Sequence, residues 1–229
     1  FSGLSLGDIA PVPPALKEPT TGLTMGESAQ KMAWENGISR EAQDRYAVES
    51  QRKAADAWAS GKFAEEVMAV SVPPRFQKVA SADNNVRADT TYDALSALKP
   101  VFDRRYGTVT AANSSFLTDG AAAVLIMSEK KAKALGLKPK AYLRSQAITG
   151  QDLWEELLLG PAFAIPKAVK KAGIKFSDIG VIEIHEAFAA QMLGVNRSLE
   201  SESFGREKLG LPGKAGKVNM DRVNIYGGS

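Results

Sequence analysis

His185 is the residue whose type and position most favour chemistry, because it is the only histidine among the 229 residues. It follows residues 181–184, an apolar and β-branched run that predicts a strand, and it precedes a run of good helix formers. A polar residue at the carboxyl end of a strand lies where α/β sheets bind their ligands. A neutral imidazole there can donate a hydrogen bond to a developing oxyanion or to an ordered water. The alternative is a core or interface histidine, which is the commoner outcome for a lone histidine.

The two neighbours of His185 that have chemical interest each allow two interpretations. Glu186 is either the first residue of a helix, where the helix dipole stabilises its charge, or a functional acid. Phe188 could form the wall of a pocket, although a core phenylalanine is the commoner outcome. The sequence contains no Gly-x-Ser-x-Gly elbow, so nothing indicates a Ser-His-Asp hydrolase.

A second candidate site is the polar run TAANSS at residues 110–115. Its small residues would let a ligand approach the backbone closely, and its asparagine and serines supply hydrogen-bond donors and acceptors. The alternative is an Asx or Ser turn without a ligand. Arg87 lies in another polar loop and could stack on a base or contact a phosphate, whereas a single exposed arginine is usually only solvated.

The composition is that of an ordinary globular protein, with 44% hydrophobic residues, 24% charged residues and a net charge of +3. No long block of basic residues occurs, so we expect no nucleic-acid partner, whereas a small anionic ligand fits the charge. The chain has no cysteine, which excludes disulfides and thiolate chemistry within these residues, and its single histidine argues against a zinc site. No run of about 18 apolar residues predicts a transmembrane helix.

The first hundred residues predict a mostly helical, loop-rich region. Residues 1–22 are rich in proline, glycine and threonine and predict a connecting arm. Two amphipathic helices are predicted, one over about 27–36 and one from the N-cap Ser39 to about residue 60, where Gly61 ends it. A strand over 67–72 and a short helix over 93–99 follow.

From residue 101 onward, strand-like and helical segments alternate, which predicts βαβ units and a parallel or mixed sheet. Residues 200–222 are polar and glycine-rich and predict an inserted loop. The predicted strands are 108–111, 141–147, 181–184 and 223–226, and the predicted helices are 129–135, 161–173 and 186–199.

Several strings taken together resemble the thiolase family. They are GTVTAANSSFLTDGAAA, LLLGPAFAIPKAVKKAGIKFSDIGVIEIHEAFAAQ and the terminal NIYGGS, and the earlier TMGESAQKMAWENGISREAQDRYAVESQRKAADAW and ALKPVFD are similar to the family's loop domain in order and spacing. The resemblance therefore covers essentially the whole chain. Within the family the chain is most similar to the thiolase (β) subunits of fatty-acid oxidation trifunctional complexes, because it has HEAFA in place of NEAFA and a long insertion around 201–222.

The resemblance implies an α/β fold of the layered thiolase type, present in part, with a mostly helical loop domain. It also implies a division into three parts. Residues 1–100 would form the loop domain on the side of the CoA nucleotide and acyl pocket. Residues 101–138 would form the end of the N-terminal thiolase domain, and residues 139–229 the first part of the C-terminal domain.

The activity that the resemblance implies is thiolytic cleavage of 3-ketoacyl-CoA to acetyl-CoA and a shortened acyl-CoA in fatty-acid β-oxidation. Coenzyme A would be a co-substrate, and no covalently bound cofactor is expected. Thiolases use a nucleophilic cysteine, the histidine of a Gly-His-Pro motif and a second cysteine, none of which this chain contains. We therefore expect the chain to be part of a longer polypeptide and to be inactive alone. The alternative is a non-catalytic thiolase-like subunit that binds acyl-CoA or supports assembly.

The resemblance further implies roles for individual residues. His185 lies where the family places the asparagine or histidine of the first oxyanion hole, which binds the thioester oxygen either directly or through a water. The remaining residues belong to the CoA and acyl side: Ser115 for the pantetheine arm, Ala111 and Phe188 for its tunnel, Met25 beside the acyl pocket, and Arg87 and Leu98 for the adenine nucleotide.

The expected partners are acyl-CoA, CoA and further copies of the chain in a homodimer or higher oligomer. The hydratase/dehydrogenase α subunit of a trifunctional complex is a further candidate partner. The expected compartment is the bacterial cytoplasm or the mitochondrial matrix.

Overall fold

A pair of capped helices opens the part of the chain that the computed structural model describes, residues 17–228. Helix α1 (Met25–Glu35) begins at a capping box, in which Thr24 accepts from the Glu27 backbone while the Glu27 side chain accepts from the Thr24 backbone. Helix α2 (Arg40–Ala59) begins at Ser39, whose hydroxyl accepts from the backbone of Ala42. Both helices and the Ser39 cap are confirmed, because their signals are local in sequence.

The remaining elements are short, apart from two helices of 13 and 12 residues. A two-stranded antiparallel hairpin is formed by β1 (Val70–Val72) and β2 (Lys78–Ala80), which pair Val70 with Ala80. The predicted strand over 67–72 is therefore shorter than expected. The helices after this hairpin are α3 (Tyr92–Ser96), α4 (Glu129–Ala134), α5 (Gly160–Ala172), α6 (Ala189–Glu200) and α7 (Glu202–Glu207).

Helix α6 lies at the centre of the hydrophobic core, where it packs against α1, α2, α5 and α7. Its Met192, Val195 and Leu199 side chains are almost completely buried. A Cβ atom on Gly194 would lie 3.2 Å from the sulfur of Met32, so a glycine there allows α1 to approach closely. The core is thus built between the helical pair and the segment that follows His185.

The strands predicted at 108–111, 141–147, 181–184 and 223–226 are not formed as regular strands in the described residues. An extended segment becomes a strand only where a neighbouring backbone donates to it and accepts from it. Within the described residues, such a neighbour is present for these segments only at a parallel bridge between Ile182 and Val223. The direction of that bridge agrees with the predicted parallel pairing. Tyr142 and Leu143 of the second segment are exposed, whereas Val109 of the first is completely buried.

Three other predictions need correction or lie outside the described residues. The helix after His185 begins at Ala189, so Glu186 is not its first residue. Residues 200–222 are not only a loop, because α7 lies within them, capped by the hydroxyl of Ser201. Residues 1–16 of the arm predicted over 1–22 lie outside the described residues. Across residues 17–228, no helix has the length and apolar character needed to cross a membrane.

Candidate active site

The backbone around His185 is held by the side chain of Asn224. The backbone N–H of Ile184 donates to Asn224 Oδ1 at 2.8 Å, and Asn224 Nδ2 donates to the carbonyl of Ile184 at 2.8 Å. Asn224 adopts a positive φ of 45°, a conformation that asparagine tolerates better than most residues. His185 itself is exposed. His185 lies, as predicted, after an extended segment and before a helix.

Glu186 is buried, 5% exposed, and accepts three hydrogen bonds from neutral side chains. Its Oε1 accepts from the Tyr46 hydroxyl at 2.7 Å and from Asn224 Nδ2 at 2.6 Å. Its Oε2 accepts from the Ser50 hydroxyl at 2.5 Å. Burial of the phenol, and then the charge of Glu186, raise the pKa of Tyr46 above its usual range, so Tyr46 stays a hydrogen-bond donor. Glu186 is thus a fully bonded carboxylate rather than a helix-dipole residue.

The loop at residues 110–115 lies directly beside the segment that follows Glu186. The Ser115 backbone N–H donates to the carbonyl of Ala187 at 2.9 Å, and Ser114 forms an isolated antiparallel bridge with Phe188. The carbonyl of Asn113 accepts from the first residue of α6 at 2.9 Å. Two of the predicted CoA-side residues, Ser115 and Phe188, are therefore brought together by backbone hydrogen bonds.

A second buried carboxylate, Asp44 on α2, fixes this loop from the other side. Asp44 is completely buried, forms an ion pair with Arg40 at 2.7 Å and accepts from Asn113 Nδ2 at 2.9 Å. The Asn113 side chain also accepts from the Thr110 backbone at 2.8 Å. Arg40 in turn donates to the carbonyl of Leu98 at 2.9 Å. Asp44 and Arg40 therefore connect the loop of Ser115 to the segment that carries Leu98.

The other predicted residues lie at the surface. Met25 begins α1 and is 39% exposed, and Leu98 is 42% exposed. Arg87 and Ala111 are also exposed. The guanidinium carbon of Arg87 lies 5.8 Å from the ring centre of Phe116, one residue after Ser115. Arg87 thus lies near the loop of Ser115, whereas Phe188, at 8% exposed, belongs to the core.

A cavity of about 350 Å³ lies between α2, residues 83–86, residues 112–119 and Glu186. Its walls are polar and apolar in about equal measure, and the polar part includes Ser50, Asn84 and Asn113. In the part of the chain that the structure describes, its lining includes none of the seven predicted site residues. Five of the seven adjoin lining residues in sequence, namely Arg87, Ala111, Ser115, His185 and Phe188.

Sequence reasoning missed three residues that hold His185 in place. Tyr46 and Ser50 lie within the helix predicted from Ser39 to about residue 60, and Asn224 lies within the strand predicted over 223–226, but the sequence indicates no chemical role for them. One signal was present, because Tyr46 and Ser50 are four residues apart and therefore share a helix face. A serine on an apolar face needs a polar partner when buried. Nothing in the local sequence indicates that the partner is Glu186, which is 136 residues away.

Family models match the chain in two consecutive segments. Residues 8–130 match the thiolase N-terminal domain, and residues 137–229 match the thiolase C-terminal domain. The chain belongs to the thiolase family. Together the two matches cover most of the chain, which confirms the resemblance drawn from the HEAFA and TAANSS strings.

Curated relatives agree with this membership. A 3-ketoacyl-CoA thiolase from Enterobacter sp. is 51% identical over all 229 residues, and one from Yersinia enterocolitica is 50% identical over the same length. The thiolase chain described here spans 52% of the length of each of these relatives. It is therefore similar to about half of a curated 3-ketoacyl-CoA thiolase.

Solved structures support the fold. The human mitochondrial 3-ketoacyl-CoA thiolase is 33% identical with a TM-score of 0.80, and the match covers 93% of this chain and 49% of that one. The same human protein in complex with CoA also gives 33% identity and a TM-score of 0.80, covering 93% and 48%. The α/β thiolase-like fold, present in part, is thereby confirmed, even though most of its strands lack partners among the described residues.

Proposed function

We propose that this chain provides the oxyanion side and the CoA-binding side of a 3-ketoacyl-CoA thiolase. The reaction is cleavage of 3-ketoacyl-CoA by free CoA to acetyl-CoA and a shortened acyl-CoA. The observation that carries the proposal is the clamped segment 184–188, which presents His185 beside the Ser115 loop. The naming of the 51% identical relative as a 3-ketoacyl-CoA thiolase supports the choice of reaction.

His185 is the proposed donor to the thioester oxygen. In the cleavage step a cysteine thiolate attacks the 3-keto carbon, the bond between C2 and C3 breaks, and its electron pair moves into the acetyl-CoA enolate. Negative charge then develops on the thioester oxygen, where a fixed hydrogen-bond donor is worth most. A proton added to C2 completes acetyl-CoA, and the thiol of free CoA then takes the acyl group from the enzyme.

The cysteines are not supplied by these 229 residues, which contain none. The chain's own part is to bind and to orient. We propose that Ser115 and Ala111 receive the pantetheine arm together with Phe188, whose neighbour Ala187 bonds the Ser115 backbone. Arg87 and Leu98 would hold the adenine nucleotide, and Met25 would border the acyl pocket. A CoA complex of the human relative with the same fold supports CoA as the ligand.

The test is a chimera in which this chain replaces the matching half of the Enterobacter thiolase, so that the relative supplies the rest. We expect the chimera to release acetyl-CoA from 3-ketoacyl-CoA when CoA is added, and the chain alone to release none. A folded chimera that binds CoA but releases no acetyl-CoA would contradict the proposed reaction.

In that chimera, His185→Ala should lower kcat by about 10²–10³, the cost of losing one oxyanion donor. Glu49→Gln is the matched control, because Glu49 is an exposed residue of α2 paired only with Arg52. An unchanged kcat/KM in His185→Ala would remove His185 from the oxyanion hole and leave the family assignment intact.

A second candidate function uses the CoA-side residues alone. A thiolase-like subunit that binds acyl-CoA without turnover, or that supports assembly, needs the CoA-side residues but no nucleophile. The chain alone would then bind CoA in a calorimetric titration. A flanking polypeptide without the cysteines and the Gly-His-Pro motif would favour this function over catalysis.

The partners and the compartment are also proposals. We propose a homodimer or higher oligomer, with a hydratase/dehydrogenase α subunit as a further partner, in the bacterial cytoplasm or the mitochondrial matrix. Bacterial relatives and a mitochondrial human relative support these two compartments. Light scattering after size-exclusion chromatography, with and without such an α subunit, measures the assembly directly.

A further inference from the structure

We infer that Glu186 is the positioning residue of this site: its buried carboxylate, held by Tyr46, Ser50 and Asn224, fixes the direction in which His185 donates. Glu186 does not itself touch substrate in this inference, and it acts through the backbone of its neighbour. The inference rests on the proposed oxyanion role of His185.

The first step is that the backbone is fixed on both sides of His185. On the N-terminal side, Ile184 exchanges two hydrogen bonds with the Asn224 side chain, each 2.8 Å long. On the C-terminal side, the Glu186 carboxylate is held by its three donors, and the carbonyl of Ala187 accepts from Ser115. The Cα atoms of residues 184 and 186 therefore have little freedom to move, and the backbone of His185 between them is restrained.

The second step is that the Asn224 side chain bonds the segment both before His185, at Ile184, and after it, at Glu186. Asn224 Nδ2 has two hydrogens, and it uses one for the carbonyl of Ile184 and the other for Glu186 Oε1. Loss of the Glu186 carboxylate would leave Asn224 with an unsatisfied buried donor and would loosen the clamp at Ile184. The effect of Glu186 therefore reaches the residue before His185 as well as the residue after it.

The third step is that the carboxylate is anchored to a rigid element. Tyr46 and Ser50 are one helical turn apart on α2, which is 20 residues long and packs against α6. Ser50 also accepts from the backbone of Gly228 at 3.2 Å, and a Cβ atom on Gly228 would collide with the Glu186 carboxyl group. The segment that carries His185 is thus anchored to helix α2 rather than to a loop.

The physical consequence concerns catalysis more than binding. A hydrogen-bond donor must lie within a few tenths of an ångström of its place to stabilise a developing oxyanion, and a displacement of about 1 Å can cost about 10² in rate. The Ser115 loop, proposed to receive the pantetheine arm, is also held by the hydrogen bond between Asn113 and Asp44, which does not involve Glu186. Weakening the Glu186 clamp should therefore change turnover and leave CoA affinity nearly unchanged.

The primary test uses the chain itself, with any purification tag removed, because its only histidine gives just one Cε1–H and one Cδ2–H correlation in a carbon–proton NMR spectrum, of which the Cε1–H correlation is followed. We expect Glu186→Gln to split or broaden the His185 correlation, because the ring then samples more than one orientation. Tyr46→Phe removes one donor at nearly constant volume and should produce a smaller change of the same kind. Glu49→Gln, the same chemical change at an exposed position of α2, should leave the signal in place.

The second readout is the division between kcat and KM in the chimera. Glu186→Gln should lower kcat by about 10–10² while KM for CoA changes less than about threefold. A His185 signal unchanged in both variants, or equal losses in kcat and CoA affinity, would overturn the positioning role. A wild-type chimera without thiolysis would instead contradict the proposed function, and the NMR comparison would still decide the positioning role.

Discussion

Helix α2 carries one buried carboxylate, Asp44, and donates hydrogen bonds to a second, Glu186. The two carboxylates have different kinds of partner. Asp44 is completely buried and is paired with the guanidinium of Arg40. Glu186 is 5% exposed and accepts from the neutral groups of Tyr46, Ser50 and Asn224. Among the described residues, no lysine or arginine forms an ion pair with Glu186. The same helix therefore holds the CoA-side loop through an ion pair and the His185 segment through neutral hydrogen bonds.

The two kinds of partner indicate different roles for the two carboxylates. Arg40, the cation paired with Asp44, also donates to the carbonyls of Leu95 and Leu98 and so links α2 to that segment. The charge of Asp44 is therefore consumed in holding elements together. At Glu186 the donors are neutral and their hydrogen bonds are short and directional, so they fix the position of the residue next to His185. We expect Asp44 to matter more for folding stability and Glu186 to matter more for turnover.

The largest expected effect on stability is that of Asp44→Asn. The amide can still accept from Asn113, but it leaves the largely buried Arg40 without its counter-charge, which should lower the free energy of unfolding by about 3 kcal/mol. Urea unfolding followed by circular dichroism measures this loss. Asp56→Asn is the matched control, because Asp56 pairs with Arg52 at the same spacing on the same helix but is exposed, and it should cost less than about 1 kcal/mol. Equal losses in the two variants would contradict the comparison.

Glu186→Gln should have a smaller effect on stability. Its single carbonyl oxygen replaces two carboxylate oxygens, so the side chain loses at least one of its three hydrogen bonds and turns an amide N–H toward a donor. No cation is left unpaired, and we therefore expect a loss of about 1–2 kcal/mol. The same urea titration provides the value. A loss as large as that of Asp44→Asn would mean that the carboxylate at Glu186 is a structural charge and not a positioning group.

The smallest expected effect is a pH dependence that comes from Tyr46. The pKa of Tyr46 is raised in the folded state by burial and by the charge of Glu186, so above about pH 10 the unfolded state loses this proton first. Its contribution to stability is complete below the unfolded pKa and should fall by at most about 1.4 kcal/mol per pH unit above it.

The check is the free energy of unfolding of the wild type and of Tyr46→Phe between pH 8 and 11. The wild type should lose more stability than the variant as the pH rises through about 10. Parallel curves would show that the pKa of Tyr46 is not raised in the folded state, which would contradict the burial of its phenol beside Glu186.

The helices were predictable because their signals lie within a few residues. Ser39 is the N-cap of α2, as predicted, and α5 ends before Gly173, which has a positive φ of 67° and closes the helix predicted over 161–173. The strands were not predictable in the same way, since pairing depends on partners far along the chain. Residues 141–147 have a strand pattern, but they pair with no other strand in the described part of the chain and most of them are exposed. The position of Glu186 was missed for the same reason, because its donors come from α2 and from Asn224.

The amino-acid sequence by itself determined the family, the helical pair before residue 60 and the position of His185 between an extended run and a helix. These follow from short strings, caps and periodicity, all of which act over a few residues. Only the tertiary structure decided what holds His185 in place. The Glu186 clamp joins α2, the segment 184–188 and Asn224, so it exists only once residues up to 178 positions apart have been packed together. Hydrogen bonds between such distant residues have no local signal, because each partner alone is an ordinary tyrosine, serine, glutamate or asparagine.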